Sequence, residues 1–112
     1  MNWEVLFYIT SSGQPVVQKF IETLPKIPHA KLLKELDLLE KYGTELGMPH
    51  TKPIGAGLIE LRARGKQEVR VLYVFAKERR IYLLHGFIKK TQTTPKKELD
   101  IALQRKKEIE NL

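Results

Sequence analysis

The stretch that decides the fold is LIELRARGKQEVRVLYVFAKERRIYLLHGFIKK, residues 58–90. It contains three apolar runs of strand length, at 58–63, 69–75 and 80–88. A turn around Gly65 separates the first two runs, and a second turn at residues 77–79 separates the last two. Short turns between successive runs predict consecutive antiparallel hairpins.

Upstream of residue 58, the sequence predicts a strand, two helices and a loop. The strand rests on a two-residue alternation in residues 3–9, with Tyr8 on the outward face. Two amphipathic helices follow, the first ending at Pro25 and the second running from Pro28 to Gly43. The apolar face of the second helix consists of Leu32, Leu33, Leu36 and Leu39. Residues 44–57 hold three glycines and two prolines, which predicts a loop.

Downstream of residue 90, the sequence predicts a last helix. Thr94 has the residue type of an N-cap, Pro95 suits the first helical position, and an apolar stripe continues to Ile109. The element order is therefore β-α-α-β-β-β-α. We expect an α+β fold, with helices packed on an antiparallel sheet, that forms a single domain over residues 1–112.

Composition excludes several classes of protein. The chain has 112 residues and no cysteine, which excludes a disulfide framework, a thiolate nucleophile and a cysteine-based zinc site. No apolar stretch approaches the roughly 20 residues that span a bilayer, and the first nine residues lack the basic head of a signal peptide. We expect a cytoplasmic protein with no membrane partner.

The net charge of +7 is distributed unevenly. Residues 1–61 carry six basic and seven acidic side chains, whereas residues 62–112 carry 14 basic and six acidic ones. This asymmetry favours a surface for a polyanion, with RNA, DNA or an acidic protein as candidates. The alternative is a solvated face that serves solubility alone.

Charged residues inside the predicted strands are the first candidates for a site. Glu60 and Arg62 share one strand face, either as an exposed ion pair or as the floor of a cleft. Arg70 lies inside the most apolar strand, and its planar guanidinium suits a phosphate. Arg64 adds a further cation at the turn.

The densest candidate segment ends the last strand. Lys89 and Lys90 supply charges for phosphates, Phe87 offers a face on which a base could stack, and Thr91 begins a run of hydroxyl donors. His85 is either a hydrogen-bonded histidine at the end of the sheet or an acid or base.

The sequence lacks a phosphate-binding glycine loop, a dinucleotide-binding glycine pattern, a His-Glu-x-x-His motif and a carboxylate cluster for two-metal cleavage. We therefore expect no metal and no cofactor. If the protein cleaves RNA, attack by the 2′-hydroxyl on the adjacent phosphate needs neither.

Short motifs in a fixed order identify a resemblance. The motifs are Leu61-Arg62, Arg70-Val71-Leu72-Tyr73, Leu84-His85-Gly86-Phe87, Lys89-Lys90-Thr91 and Thr94-Pro95. In order and spacing the chain resembles the phage Gp49-like branch of the RelE/HigB toxins, over nearly its whole length. The resemblance implies a RelE-like fold and the toxin of a type II toxin–antitoxin pair. Such a toxin is an endoribonuclease that cleaves mRNA on the translating ribosome and is neutralised by a helix-turn-helix antitoxin.

The resemblance also implies roles for individual residues. Arg70 matches the arginine that contacts the scissile phosphate, Lys89 and Lys90 match the basic pair after the last strand, and Tyr73 matches the tyrosine of the Arg-Val-Leu-Tyr strand. Glu60 stands where RelE has a lysine, so Glu60 and His85 are the candidates for base and acid.

Two other functions remain open at this point. The same superfamily includes ParE-type proteins, which inhibit DNA gyrase by binding without catalysis. A plain nucleic-acid-binding module is the third possibility, and its binding would weaken steeply with salt.

Overall fold

The computed structural model describes residues 2–110, and over that range it contains five strands and three α-helices. In chain order they are β1 (Glu4–Phe7), α1 (Val16–Glu22), α2 (Lys26–Tyr42), β2 (Thr51–Gly55), β3 (Leu58–Ala63), β4 (Glu68–Ala76), β5 (Arg80–Lys89) and α3 (Lys96–Glu110). The predicted α+β class is confirmed. The domain prediction also includes residues 1, 111 and 112, which lie outside the described range.

The strands form one sheet in the order β1-β5-β4-β3-β2. The two predicted hairpins are confirmed, because β3, β4 and β5 pair antiparallel in sequence order. The pairing of β1 corrects the prediction of an antiparallel sheet. It lies parallel to β5, with Leu6 opposite Tyr82, so the sheet is mixed.

The predicted loop at 44–57 contains a strand that the sequence did not reveal. Residues Thr51–Gly55 form β2 and pair antiparallel with β3 at the edge of the sheet. An edge strand tolerates Pro53, because a proline without an N–H group loses no ladder bond on the solvent side. Its glycines and proline are therefore compatible with pairing, although their composition is that of a loop.

Helices cover both faces of the sheet. Residues 85 and 86 show this directly, since adjacent strand residues point to opposite faces. The His85 side chain bonds to Glu98 of α3, whereas a Cβ at Gly86 would collide with the ring of Phe20 in α1. We call the face that carries Glu60 and His85, covered in part by α3, the site face. The helices α1 and α2 pack against the other face.

The helix α2 buries a narrower stripe than predicted. Leu32 and Leu39 are fully buried, but Leu33 is 44% exposed. The helical period explains the difference, because positions 32, 36 and 39 fall on one line and position 33 lies about 100° away from it. The helix also begins at Lys26 rather than at Pro28. Gly43 ends it as predicted.

At the end of the first strand, the buried and exposed residues are the reverse of those predicted. Tyr8 is 7% exposed and Ile9 is 54% exposed, contrary to the predicted alternation. The strand stops at Phe7, so the two-residue period no longer applies beyond it. The Tyr8 hydroxyl donates to Glu108 of α3 at 3.0 Å, and the Arg105 guanidinium lies 4.8 Å from the Tyr8 ring centroid.

One irregularity in the central hairpin affects the site. Leu72 of β4 lies opposite His85, but the next residue, Tyr73, lies opposite Leu83. Leu84 is thus an extra residue in β5, a β-bulge. Because of it, His85 and Leu83 lie on opposite faces of the sheet although they are two residues apart.

Candidate functional site

The site is built around a pair of arginines on neighbouring strands. Arg62 of β3 lies directly opposite Arg70 of β4 on the site face. Like charges in this position repel one another and destabilise a sheet. The Arg70 side chain is only 3% exposed, which makes the repulsion harder for solvent to screen. Such a pair requires anions nearby.

Glu60 supplies the first of these anions. Its side chain is 1% exposed, and its Oε1 atom lies 3.4 Å from Arg70 Nε and 3.6 Å from Arg62 Nε. The same oxygen lies 3.7 Å from Lys89 Nζ, so cations from three strands share it. This geometry excludes the exposed ion pair that the sequence left open for Glu60 and Arg62.

The second oxygen of Glu60 connects the site to α3. Thr94 Oγ1 donates a hydrogen bond to Glu60 Oε2 at 2.6 Å. The sequence predicted Thr94 as a helix N-cap, but the structure gives its hydroxyl a carboxylate partner instead. Glu60 is therefore held in one orientation while it holds the cations around it.

Glu68 supplies the second anion, and sequence reasoning missed it. Its Oε1 accepts a hydrogen bond from Arg70 Nη2 at 2.7 Å, and its Oε2 accepts one from the Gly65 N–H at 2.8 Å. The hydrogen bond from Gly65 and the one from Arg70 lower the pKa of the Glu68 carboxyl. Its position two residues before Arg70 on the same strand was the available signal.

These groups border an open cavity of about 640 Å³. It is lined by Arg62, Arg64, Glu68, Arg70, Lys89, Lys90, Thr91 and Gln92. Five basic side chains thus face one acidic side chain. Burial, followed by the charges of Arg64 and Arg70, lowers the pKa of the Arg62 guanidinium. The cavity concentrates positive charge beyond what its own carboxylates balance, so it favours an anionic ligand.

Six of the predicted site residues meet at this cavity: Arg62, Arg64, Arg70, Lys89, Lys90 and Thr91. Glu60 lies beneath them, in contact with three of their cations. Gln92 is a further lining residue that the sequence did not single out.

His85 is not among the residues that line the cavity. Its Nε2 lies 2.9 Å from Glu98 Oε1, and its Nδ1 lies 3.3 Å from Arg105 Nη1. An arginine can only donate, so Nδ1 accepts and Nε2 carries the proton. Burial lowers the pKa of His85, against the opposing effect of Glu98. Both ring nitrogens of a neutral imidazole are thus engaged away from the cavity.

The two aromatic candidates lie in the core. Phe87 is 5% exposed, and its ring stacks on His85 at a centroid distance of 5.7 Å, so the predicted platform for a base is already occupied. Tyr73 is 1% exposed and lies opposite Ile59, on the face away from the site. Burial raises the pKa of its hydroxyl. Both residues support the fold rather than line the cavity.

Within residues 2–110, no group of three or more histidine, aspartate or glutamate side chains is arranged to hold a metal ion. In the same range, no helix has the length and apolar character needed to cross a membrane.

Comparison with known proteins gives one family. The family model described as phage derived protein Gp49-like (DUF891) matches residues 19–107. The matched range contains every residue that lines the cavity, together with Glu60 and Thr94. No curated protein matches the chain.

Proposed function

Since the chain belongs to the phage-derived Gp49-like family, which is toxin-like and of RelE/HigB type, we propose that it is the toxin of a type II toxin–antitoxin module. Its activity is that of an endoribonuclease that cleaves mRNA on the translating ribosome. The observation that carries this proposal is the cluster of five basic side chains around one cavity, organised by the buried Glu60. A phosphodiester is the anion that such a cluster suits best.

The proposed reaction is an internal transfer of the phosphoryl group. The 2′-oxygen of the RNA attacks the adjacent phosphorus and forms a new P–O bond, while the bond to the 5′-oxygen breaks. The 2′-hydroxyl loses its proton and the departing 5′-oxygen takes one up, so the products are a 2′,3′-cyclic phosphate and a free 5′-hydroxyl. Charge on the phosphoryl oxygens increases in the transition state, where Arg70 and Lys89 stabilise it. No metal is required for this step.

Glu60 acts in this scheme by positioning. With 1% of its side chain exposed and both oxygens in contact with site groups, it holds Arg62, Arg70 and Lys89 in place before the substrate arrives. Preorganised charges need little rearrangement during the reaction, which is where electrostatic catalysis has its advantage.

The proposed partners follow from the same function. They are mRNA and the ribosome as the target, and a helix-turn-helix antitoxin that neutralises the toxin. The place of action is the cytoplasm, where ribosomes translate.

The proposal is tested by mapping the 5′ ends of transcripts after brief induction. Wild type is compared with Arg70→Lys, which keeps the charge but loses the planar fork, and with Lys77→Ala at an exposed position outside the cavity as the control. We expect Arg70→Lys to reduce cleavage about a hundredfold, as loss of one transition-state donor does, with an unchanged circular-dichroism spectrum.

Two outcomes would count against the nuclease. Equal cleavage by wild type and Arg70→Lys would remove Arg70 from the site. Intact transcripts combined with arrested replication would instead favour the gyrase-directed alternative.

A further inference from the structure

The cavity continues into two neighbouring grooves. Arg62 and Arg64, which line the cavity, also line a groove of about 220 Å³ against α2, together with Lys31 and Lys34. Lys31 in turn lines a further groove of about 550 Å³, which runs between the start of α2 and the β3–β4 turn. Shared lining residues thus connect the three spaces into one continuous surface, which we call the basic tract.

The tract is rich in basic residues and poor in acidic ones. Its walls carry nine of the 20 lysine and arginine side chains but only two of the 13 acidic side chains, all within the described range. One of those two, Glu35, is engaged with His50 at 2.8 Å. Lys26, Lys31 and Lys34 come from the half of the chain with no net positive charge. They line the tract because all three lie in the first half of α2.

The far groove also has an apolar lining. Pro25, Ile27 and Pro28 form it, and Ile27 is 68% exposed. Lys26, Lys31 and Lys66 stand around this apolar surface. The Lys31 ammonium reaches across to the β3–β4 turn, since a Cβ at Gly65 would lie 2.7 Å from its Nζ. The groove thus combines charges for phosphates with an apolar surface against which a base can pack.

We propose that the basic tract binds the single RNA strand beyond the scissile phosphate, with the groove between α2 and the β3–β4 turn as its distal subsite. The inference rests on the proposed function, because the strand is the substrate proposed there. It adds that the enzyme holds several nucleotides on one side of the cleavage point. Continuity with the cavity and charge complementarity favour RNA over a protein at this subsite.

The test compares two triple variants that remove the same charge. Lys26→Gln, Lys31→Gln and Lys66→Gln together alter the distal subsite. Lys52→Gln, Lys77→Gln and Lys107→Gln together are the control, and all six lysines are exposed. The probes are fluorescent 2′-O-methyl oligoribonucleotides, which cannot undergo 2′-hydroxyl attack. One is a dinucleotide and the other has about 12 nucleotides, within the range of known single-strand sites.

We expect the subsite variant to bind the long probe roughly tenfold or more weakly than wild type, with the control within about twofold. The slope of log affinity against log salt should become shallower by about two, because each phosphate contact on a single strand contributes about 0.7. The dinucleotide is long enough to occupy the cavity but not the distal subsite. Its affinity should therefore be close to that of wild type in both triple variants.

Equal affinities of the two triple variants for the long probe would overturn the proposal and leave this groove to a protein partner. If instead the proposed nuclease activity is wrong, wild type will bind the long probe but will cleave no RNA. The binding measurement separates the two, because its probe is not cleavable.

Discussion

At the scale of single residues, Glu60 contributes most to holding the site together, because three cations share its buried carboxylate. Removing one partner of a buried ion pair leaves the others without compensation. We expect Glu60→Gln to lower the free energy of unfolding by about 3 kcal/mol, measured by urea denaturation. Glu68→Gln is the matched control, because its side chain is 36% exposed, and it should cost about 1 kcal/mol or less. Equal losses would show that Glu60 is not the anchor of the cluster.

His85 predicts a dependence of stability on pH. Burial lowers the pKa of His85 from 6.5, so the unfolded chain takes up the proton at a higher pH than the folded chain. The stability is fully present above about pH 6.5 and falls as the pH drops through the folded pKa. Glu98, Arg105 and Lys97 are the charges that face the ring, and their effects partly cancel.

The measurement is urea unfolding of wild type and His85→Gln at about pH 7.5 and 5.5, on either side of the ordinary histidine pKa. We expect wild type to lose more stability than the variant between these conditions. The reverse order would mean that the folded protein holds His85 protonated.

Single residues also show which parts of the site could be predicted from the sequence and which could not. An arginine inside an apolar strand is anomalous by itself, so Arg70 could be predicted. The hydrogen bond between Thr94 and Glu60 joins residues 34 positions apart, and no local pattern announces such a contact. Phe87 has the residue type of a stacking platform, but only its burial against His85 shows that the ring is unavailable.

At the scale of elements, the contact between α1 and β5 depends on a glycine. The Phe20 ring occupies the place where a side chain at Gly86 would begin. We expect Gly86→Ala to destabilise the protein by about 1–3 kcal/mol through overpacking, as measured by thermal unfolding. Combining it with Phe20→Leu should restore part of the loss. Gly47→Ala, which has no neighbour in the way, should stay within about 0.5 kcal/mol. A neutral Gly86→Ala would show that α1 shifts freely on the sheet.

Elements were predictable where each one carries its own pattern. The bounds of β3 match the prediction, and β4 and β5 extend the predicted runs by only one or two residues. The strand β2 has no such pattern, since its pairing with β3 alone makes it a strand. The parallel pairing of β1 with β5 is likewise determined by tertiary structure, because the alternation of apolar residues identifies a buried face but not the neighbouring strand.

At the scale of the whole molecule, the single sheet predicts one cooperative unit. Trp3 is the only tryptophan, and it links three elements. Its ring lies 5.1 Å from Phe75 of β4, its backbone N–H donates to the backbone carbonyl of Glu40 in α2, and it directly precedes β1. We expect Trp3 fluorescence and far-ultraviolet circular dichroism to report the same urea midpoint. Two separate midpoints would contradict the single-domain prediction.

The bulge at Leu84 reverses the alternation of side chains between the two faces of the sheet partway along β5. Before it, odd-numbered residues of β5 such as Leu83 belong to the face covered by α1 and α2; after it, odd-numbered residues such as His85 and Lys89 belong to the other face. One inserted residue therefore divides β5 into a half that serves the hydrophobic interior and a half that delivers a lysine to the cavity. If Leu84 joined a regular ladder, every later residue of β5 would turn to the opposite face and Lys89 would point away from Glu60. Deleting Leu84, in contrast, would leave His85 opposite Leu72 and Lys89 opposite Glu68, so the site depends on Leu84 staying outside the ladder.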